Sequence, residues 1–564
     1  MTADDPALRL RQVADLLARR RFAEARSAIE PLARAMPDIA KVQHLLGIAA
    51  MRLGDGPAAG RALAAAQQAA PRDAEIAADR ARLLLALGRA AEALAATDTI
   101  AAAGDAPDPL LVERARALKA LGRIDEAVAE RARIVARNPA DARAQHNLAA
   151  AAGDAGDAER AETAARAAIA AGGDAPETWL VLARALQALG RFDEAEAAFG
   201  AAIHRRPDYV DARRDLAQLH WMRSGDAQAA LAMLEVPAVQ GASAARLRAI
   251  AARLLADAGD PRAGYARLLH RPVTGDAMLE MTAAHLAARF DPARAVAHAA
   301  RAAALAPAND RAVRCLVEAL LAAGDPRQAM ARIAPLRTAL PLDQELIALE
   351  WTGWRLTGDA RADALYDYAA FVRAAPIAPP PGWSRLDDYL RDLAAGLGDL
   401  HRLRTHPLDQ SLRHGTQTGA DLRRSRHPAI AAFRDAIAPA VADYLDRLGT
   451  GPDVLRRRNA GRAAPGGMWS VRLHPGGFHV DHIHPHGWLS SACHIAVPAD
   501  DGMRGGWLKF GQPGIATSPA LGPEHWVPAR AGQITLFPSY MWHGTAPFGG
   551  NESRLSIAFD LMPA

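Results

Sequence analysis

The sequence predicts two fold classes in one chain: an all-α solenoid toward the N-terminus, and an antiparallel β domain with flanking helices toward the C-terminus. Composition supports this division. Ala, Leu and Arg dominate up to about residue 370, whereas Pro, Gly, Trp and His become frequent beyond Pro376. Ala, Leu and Arg favour helices, and a chain of 564 residues is too long for one hydrophobic core. We therefore expect three domains, at residues 1–235, 236–375 and 376–564.

A 34-residue period predicts the N-terminal helices. Five glycines follow one another at this spacing, and each precedes an alanine by five positions: Gly54, Gly88, Gly122, Gly156 and Gly190, with Ala59, Ala93, Ala127, Ala161 and Ala195. A glycine can take the left-handed conformation that ends one helix, and a small alanine lets the next helix pack closely. Prolines fall between the units, at Pro37, Pro71, Pro107, Pro139 and Pro207. A period of this kind indicates stacked pairs of helices.

The pattern resembles the tetratricopeptide repeat over residues 5–235, because period, turn and proline agree. The spacing then loosens, but Gly324-Asp-Pro-Arg-Gln-Ala and the interval from Pro307 to Pro341 predict degenerate helical repeats to about residue 370. The resemblance implies a concave groove that binds a peptide or protein segment. A packing or dimerisation scaffold is the alternative role for the array.

Charge and cysteine content limit the partners and the compartment. The chain has 67 Lys and Arg against 63 Asp and Glu, and the arginines alternate with acidic residues, so we expect no nucleic-acid partner. The first residues lack a signal-peptide pattern, and no apolar run approaches about 18 residues, so we expect no membrane contact and a cytoplasmic location. Cys315 and Cys493 form no CxxC pair, which agrees with a reducing compartment.

The C-terminal domain follows a Pro-rich segment at residues 376–384. An amphipathic helix is predicted from Pro428 to Leu445, and short alternating runs begin at Met468. Alternation interrupted by Pro-Gly and Gly-Gly predicts antiparallel strands. A double-stranded β-helix, or jelly roll, would arrange such strands around a central metal ion.

Histidines mark the candidate metal centre. They crowd into the string His479-Val-Asp481-His482-Ile-His484-Pro-His486, and His543 follows a separate strand-like run. Alternate side chains of a strand share a face, so His482 and His484 can enter one cavity and His543 can complete a set of three imidazoles, which suit iron. The alternative pair, His479 and Asp481, lies on the opposite strand face and would supply a carboxylate.

The C-terminal motifs resemble the bacterial and phage branch of the 2-oxoglutarate/Fe(II)-dependent oxygenases over about residues 385–562. The resemblance is carried by Met468-Trp-Ser-Val, His482-Ile-His484-Pro, Leu489-Ser490, Pro538-Ser539, His543, Arg554-Leu-Ser-Ile-Ala-Phe559 and the string from Pro407 to Thr418. It implies a jelly-roll fold, Fe(II), 2-oxoglutarate and O2, and hydroxylation of an unactivated C–H bond.

The resemblance also implies roles for single residues. His482 and His543 match two metal ligands, and Arg554 with Ser556 matches the residues that bind the distal carboxylate of 2-oxoglutarate. His484 departs from the pattern, because most of the superfamily has a carboxylate there; relatives that hydroxylate aspartyl or asparaginyl side chains also lack it. No side chain beyond the metal centre is expected to act as an acid or base.

Four residues are weaker candidates. His494 lies where relatives have a tyrosine that touches 2-oxoglutarate, and a buried core histidine is the alternative. Gln417 and Thr418 are expected to line the substrate cavity, with capping of a loop as the alternative. Trp542 is expected to form a cavity wall, although aromatic residues of a small β domain also belong to its core.

These observations give one hypothesis and its rivals. The leading hypothesis is a 2-oxoglutarate- and Fe(II)-dependent dioxygenase that hydroxylates a protein or peptide recruited by the repeat array. The rivals are a non-catalytic adaptor with a degenerate oxygenase domain, an oxygenase that acts on a small metabolite, and a cupin-like metal protein that uses no 2-oxoglutarate.

Overall fold

The computed structural model describes residues 5–236, 239–499 and 503–564, and the chain divides into two compact units, residues 1–186 and 187–564. Residues 1–4, which enter the expectation about a signal peptide, lie outside the described residues. No helix within the described ranges has both the length and the apolar character needed to cross a membrane.

The first unit consists of consecutive helices. They are α1 (Pro6–Ala18), α2 (Phe22–Ala35), α3 (Ala40–Arg52), α4 (Gly56–Ala69), α5 (Ala74–Ala86), α6 (Ala90–Ala101), α7 (Asp108–Ala120), α8 (Ile124–Arg137), α9 (Ala142–Asp154), α10 (Ala158–Ala170) and α11 (Pro176–Ala188), which contains the division between the units. From α1 to α10 each helix packs on the next, and helices two apart, such as α5 and α7, also touch. This stacking confirms the predicted all-α solenoid.

The repeated turn has the predicted conformation. Gly88 and Gly122 have φ of 73° and 74°, values that a residue with a side chain rarely adopts. Ala93 and Ala127, five positions later, are buried between helices. The 34-residue period therefore arises from one left-handed turn residue and one small contact residue in each unit.

The second unit continues with helices and then forms the sheets. Its helices are α12 (Phe192–Arg205), α13 (Val210–Ser224), α14 (Ala227–Ala232), α15 (Gly241–Asp257), α16 (Pro261–Leu269), α17 (Ala277–Ala287), α18 (Pro292–Leu305), α19 (Asp310–Ala322), α20 (Pro326–Ala339), α21 (Gln344–Thr357), α22 (Arg361–Leu365), α23 (Tyr368–Phe371), α24 (Leu386–Gly398), α25 (Pro428–Ala431) and α26 (Phe433–Leu448). Short 3-10 helices occupy Leu422–Arg424 and Arg456–Arg458. The helices before residue 372 agree with the predicted degenerate repeats, and α25 and α26 with the predicted amphipathic helix.

Within the described residues, nine strands form two antiparallel sheets, as expected of a jelly roll. The strands are β1 (Arg373–Pro376), β2 (Leu412–Gln417), β3 (Ala463–His479), β4 (Leu489–Ala496), β5 (Leu508–Phe510), β6 (His525–Val527), β7 (Gln533–Pro538), β8 (His543–Thr545) and β9 (Arg554–Pro563). The larger sheet has the order β1-β7-β4-β9-β3-β2, and the smaller has the order β6-β5-β8. In the larger sheet Ser556 of β9 lies opposite Val471 of β3 and His494 of β4.

The hydrophobic core of the β domain also includes residues that precede position 376. One cluster of buried residues includes Trp351 of α21 and Tyr366 as well as Phe559 of β9. The indole of Trp542 donates to the carbonyl oxygen of Ala348 at 3.3 Å, and the phenol of Tyr366 donates to the carbonyl oxygen of Tyr540 at 2.7 Å. The last helices of the array and the sheets of the second unit therefore share one hydrophobic core.

Candidate metal and carboxylate site

Three of the predicted histidines converge. His482 follows the end of β3, and it pairs with His543 of β8 through two backbone hydrogen bonds of 2.9 and 3.0 Å. His484 lies two residues further along the same segment. One ring nitrogen from each of the three side chains lies within 4.8 Å of the others. His482 and His484 lie beyond the regular strand, so their convergence with His543 depends on this bridge and on a further backbone hydrogen bond of 3.0 Å from His484 to the carbonyl oxygen of Ser539.

Each of the three rings is held through its Nδ1 atom. His482 donates from Nδ1 to the carbonyl oxygen of Val480 at 2.8 Å, and His543 donates to that of Met541 at 2.9 Å. His484 Nδ1 instead contacts a carboxylate oxygen of Asp560 at 2.5 Å. A ring whose Nδ1–H is bound in this way presents the lone pair of Nε2, as metal-binding histidines do.

Burial keeps two of these imidazoles uncharged. It lowers the pKa of His482 to about 3, and it lowers the pKa of His543 well below the usual value; the charge of neighbouring histidines acts in the same direction. An uncharged imidazole can bind a cation, whereas an imidazolium cannot.

The spacing fits a metal ion. The Nε2 atoms of His482 and His484 are 3.2 Å apart. At a metal–nitrogen distance of about 2.1 Å, two nitrogens on neighbouring octahedral positions lie about 3 Å apart. The donor set of three imidazoles suits iron as well as zinc, copper and nickel.

The alternative pair is engaged elsewhere. Asp481 forms an ion pair with Lys509 at 2.8 Å, and its side chain is nearly shielded from solvent. His479 Nδ1 lies 2.9 Å from the hydroxyl of Ser411. Neither residue belongs to the group of converging ring nitrogens. The geometry therefore favours His482, His484 and His543 over the opposite strand face.

Arg554 is the second element of the site. Its side chain is 2% exposed at the start of β9, and one guanidinium nitrogen, Nη2, lies 3.3 Å from Nδ1 of His494. Its Nε and Nη1 atoms find no hydrogen-bond partner among the described residues, and burial lowers its pKa to about 10. A buried guanidinium that still carries its charge at neutral pH needs an anion, and a carboxylate fits its planar fork.

Both elements line one cavity of about 600 Å³. Ser556 lies in its wall, together with the apolar side chains of Val471, Leu508 and Phe537. The cavity thus holds three imidazoles at one point and an unsatisfied guanidinium at another. This arrangement has the donor atoms for a divalent metal ion and, separately, for a carboxylate group.

The weaker candidates have different surroundings. Gln417 lies in the cavity wall. Thr418 lies in the wall of a neighbouring cavity that Gln417 also lines, and its buried hydroxyl accepts from the backbone N–H of Ser470 at 3.0 Å, so it extends the pairing of β2 with β3. His494 also lies outside the wall and contacts Arg554 instead.

The expectation for Trp542 needs correction, because its ring is not part of the cavity wall. The indole N–H reaches the hydroxyl of Thr352 at 3.0 Å and the ring belongs to the core shared with α21. A different tryptophan, Trp469, lines the cavity and stacks on His484 with ring centroids 6.1 Å apart. The strand position of Trp469, opposite Ala558 of β9, brings it there.

Sequence reasoning missed two sets of lining residues. Asp560 could have been found, because Arg554, Ser556, Ala558 and Asp560 are spaced by two along β9 and all four line the cavity. Asp257, His285 and Arg289, which come from α15, α17 and the turn after α17, also line it. No local signal in the sequence identifies these three, since they reach the cavity only through packing of helices on sheets.

Comparison with known proteins agrees with these observations. Residues 467–560 match the family model described as "Putative 2OG-Fe(II) oxygenase", and residues 176–219 match the model of the tetratricopeptide repeat. No curated protein matches the chain.

Several solved structures are similar to parts of the chain. The MamA protein has 18% identity and a TM-score of 0.29, over 30% of this chain and 94% of that one. A tetratricopeptide repeat protein from Parabacteroides merdae has 16% identity and a TM-score of 0.35, over 49% and 97%. A thermophilic repeat protein of Thermus thermophilus has 25% identity and a TM-score of 0.26, over 32% and 98%. By the family models, the chain carries a tetratricopeptide repeat and, toward its C-terminus, a segment of the 2OG-Fe(II) oxygenase family.

Proposed function

We propose that this protein is a 2-oxoglutarate- and Fe(II)-dependent dioxygenase that hydroxylates a protein or peptide recruited by its repeat array. The observation that carries the proposal is one cavity that contains both three converging imidazoles and a buried guanidinium with two unpartnered nitrogens. Either element alone would fit many proteins. Their combination fits a metal ion and a dicarboxylate bound side by side.

In this proposal His482, His484 and His543 hold Fe(II), while Arg554 and Ser556 hold the distal carboxylate of 2-oxoglutarate. When bound, the two groups supply oxidation by O2 coupled to loss of CO2 from the keto acid. Arg554 fixes the position and direction of the keto acid, because a guanidinium binds a carboxylate through two parallel hydrogen bonds.

The chain also keeps the site dry. The ring of Phe537 lies 4.5 Å from that of His543, and the ring of Phe510 lies 6.3 Å from His543 and 5.0 Å from Phe537, all measured between centroids. Both phenylalanines are fully buried. Apolar walls of this kind exclude water from a reactive centre and strengthen the charge interaction of Arg554 with a bound anion.

A second cavity supports a polypeptide substrate. It has a volume of about 320 Å³, and it shares two lining residues, Gln410 and Gln417, with the metal-site cavity. Gln187 and Gln218, from α11 and α13, lie in its wall as well. Each amide side chain can donate and accept hydrogen bonds, as a peptide group does, and their arrangement beside apolar residues suits an extended chain.

The position of the helices also supports recruitment. Within residues 187–564, Asp257 of α15 and Arg289 beside α17 lie in the wall of the metal-site cavity. An ion pair of 3.1 Å joins Asp257 to Arg413 of β2. A segment held by these helices would therefore be delivered close to the three histidines.

The test is formation of succinate. The full-length protein is loaded with Fe(II) without oxygen, then given 2-oxoglutarate and O2, first alone and then with the protein fraction of a cell extract. We expect succinate in both cases, more of it with the extract, and a gain of one oxygen atom in an extract protein. A His543→Ala variant serves as the control and should form none.

Two of the rival hypotheses, the adaptor and the metabolite oxygenase, give different results in this experiment. A non-catalytic adaptor forms no succinate although it binds the metal. An oxygenase for a small metabolite responds to the low-molecular-weight fraction of the extract and not to its proteins.

A further inference from the structure

One of the three converging histidines differs from the others in its hydrogen-bond partner. His482 and His543 donate from Nδ1 to backbone carbonyl oxygens, which are neutral. His484 contacts Oδ1 of Asp560 at 2.5 Å. Asp560 reaches this position because it lies on the cavity face of β9, six residues after Arg554.

Asp560 is fixed by its surroundings. The hydroxyl of Ser490 donates to the same Oδ1 at 2.8 Å, and it lies 2.9 Å from the hydroxyl of Ser539. The chain passes closely above this network at Gly487, where an added Cβ would come within 2.3 Å of the Ser539 hydroxyl and 3.2 Å of the Asp560 carboxyl carbon. The carboxylate therefore has one defined position beside the imidazole of His484.

The charge of this carboxylate has no permanent cation beside it. Among the described residues, His484 is the only one that forms an ion-pair contact with Asp560, and an imidazole that binds a metal through Nε2 is itself uncharged. The other carboxylate near the three histidines, Asp481, differs in this respect, because Lys509 neutralises it at 2.8 Å. A metal dication next to His484 would be the natural counter-charge for Asp560.

A carboxylate bound to the far nitrogen of a ligand imidazole makes the near nitrogen a stronger donor. This effect matters more here than in a site with a directly bound carboxylate, because three neutral imidazoles leave the full double charge on the metal ion. The partner of His484, rather than the ligand itself, is then the source of negative charge.

We propose that Asp560 is a positioning and charge-supplying residue that acts on the metal ion through His484, in place of a directly bound carboxylate. This inference rests on the proposed function in that His482, His484 and His543 bind a divalent metal. It adds that the affinity and ligand field of that metal depend on Asp560, and that they do so only while His484 is present.

The experiment is an anaerobic titration of the full-length protein with Co(II), followed by its visible d–d absorption. Asp560→Asn keeps the shape and the acceptor oxygen but removes the charge. We expect Co(II) affinity to fall by about 10- to 100-fold, as for other lost partners of ligand histidines, and the absorption band to shift at saturation. Asp481→Asn is the matched control, and we expect its affinity to stay within about threefold of the parent protein, because Lys509 already screens that charge.

A double-mutant cycle separates action through His484 from a general effect. In a His484→Ala background, adding Asp560→Asn should change Co(II) affinity by less than about threefold, because the path from Asp560 to the metal is already gone. Equal losses in the two backgrounds would overturn the proposal, and so would an Asp560→Asn variant with unchanged affinity and band. Thermal unfolding of the metal-free variants distinguishes a loss of folding from a loss of metal affinity. A metal-free Asp560→Asn protein with an unfolding temperature well below that of the metal-free parent would indicate a structural role for Asp560 and would also overturn the proposal.

Failure of the proposed function gives a different pattern. If Co(II) binding is unaffected by His482→Ala and His543→Ala, the metal does not sit at the three histidines. If binding survives His484→Ala but is lost in Asp481→Asn, the ligands come from the opposite side of the segment. In either case the ligand set is wrong, whatever Asp560→Asn does.

Discussion

Arg554 Nη2 lies 3.3 Å from His494 Nδ1, and both side chains are shielded from solvent. Because a guanidinium has only donors, Nδ1 of His494 must be the acceptor and the ring proton must be on Nε2. Burial lowers the pKa of His494 well below its usual value, and the charge of Arg554 lowers it further, so the ring stays neutral. His494 thus orients the guanidinium through Nη2 and leaves Nε and Nη1 available to a ligand.

This arrangement predicts how His494 affects binding of 2-oxoglutarate. His494→Leu removes the acceptor at similar volume, so Arg554 loses its fixed orientation. We expect the apparent KM for 2-oxoglutarate to rise about tenfold, equivalent to about 1.4 kcal/mol, as for one lost hydrogen bond to a charged group. Succinate formation measures KM, and bound iron is measured in parallel. His494→Gln is the control: it keeps an acceptor, so its apparent KM should lie between those of the parent protein and His494→Leu. A loss of bound iron in His494→Leu as large as its loss of affinity for 2-oxoglutarate would contradict this role.

Arg554→Lys tests the guanidinium itself. Lysine keeps the charge but has no planar fork, so it cannot make two parallel hydrogen bonds to a carboxylate. We expect a rise in the apparent KM for 2-oxoglutarate of about 10- to 100-fold, that is about 1.4 to 2.7 kcal/mol, with iron content unchanged. If iron is lost together with affinity for the keto acid, Arg554 serves the metal centre or the fold instead.

The ligand histidines can be tested through the visible absorption of the anaerobic complex with Fe(II) and 2-oxoglutarate. His543→Ala and His482→Ala should abolish this metal-to-ligand band, because each removes one of three nitrogens that lie within 4.8 Å of one another. Asp481→Ala should leave the band in place, since the carboxylate of Asp481 is paired with Lys509. A band that persists in both histidine variants contradicts the ligand set.

The sequence was sufficient to predict the helical array and to select residues that the structure brings into one cavity. The 34-residue spacing of glycines is a local signal, and each of those turns needs a left-handed residue. His482, Arg554 and Ser556 are recognisable because they stand in short motifs on single segments. The rule that alternate side chains of a strand share a face placed His482 and His484 together, although both residues lie just after the end of β3.

The surroundings of these residues could not be predicted in the same way. Trp542 contacts Thr352, 190 positions away, and Asp257 reaches the cavity from a helix that precedes the β domain by more than a hundred residues. Such contacts depend on how helices pack against sheets, and no pattern in either segment indicates its partner. His494 is an intermediate case: its strand was predictable, but its place behind Arg554 follows from the register of β4 with β9.

Stability should depend on pH through two histidines outside the metal centre, the half-buried His401 and the buried His406. Burial lowers the pKa of both His401 and His406 to about 4, with neighbouring arginines as the second cause. His401 contacts the hydroxyls of Thr416 and Ser470, and the ring of His406 packs against Trp221. Both rings are therefore neutral in the folded protein and would titrate near pH 6.5 in the unfolded chain.

The sign follows from this difference. Between about pH 6.5 and 4 the unfolded chain binds more protons, so the free energy of unfolding falls as the pH is lowered through this window and levels off below it. For His406 the loss amounts to about 2 kcal/mol by pH 5. The free energy of unfolding is measured by urea denaturation at pH 7 and at pH 5. Between these two pH values it should fall by about 2 kcal/mol less in a His406→Phe variant than in the parent protein. Equal pH dependence in the two proteins would show that His406 titrates normally when folded.

The division of the chain into two compact units predicts where it can be shortened. A protein that begins at Gly190 keeps the strands β1 to β9 and the helices that share their core. We expect it to fold and to form succinate from 2-oxoglutarate at a rate within about twofold of the full chain. A protein that begins at Pro376 loses α21 and Tyr366, and it leaves the buried surfaces of Tyr540 and Trp542 uncovered. We expect it to give no cooperative unfolding transition.

The protein that begins at Gly190 also tests recruitment. The shortened protein lacks residues 1–189, which include Gln187 of the second cavity. If these residues bind the substrate, removing them lowers its effective concentration at the metal centre, so hydroxylation of an extract protein should fall while basal formation of succinate persists. Oxygen incorporation into that protein and succinate release, measured together, separate the two activities. The control is the full chain with Arg89→Ala, which removes one exposed ion pair of the array, with Glu92, and should behave as the parent. An unchanged kcat/KM in the shortened protein would make the first unit a scaffold, and recruitment would then belong to the helices of residues 187–371.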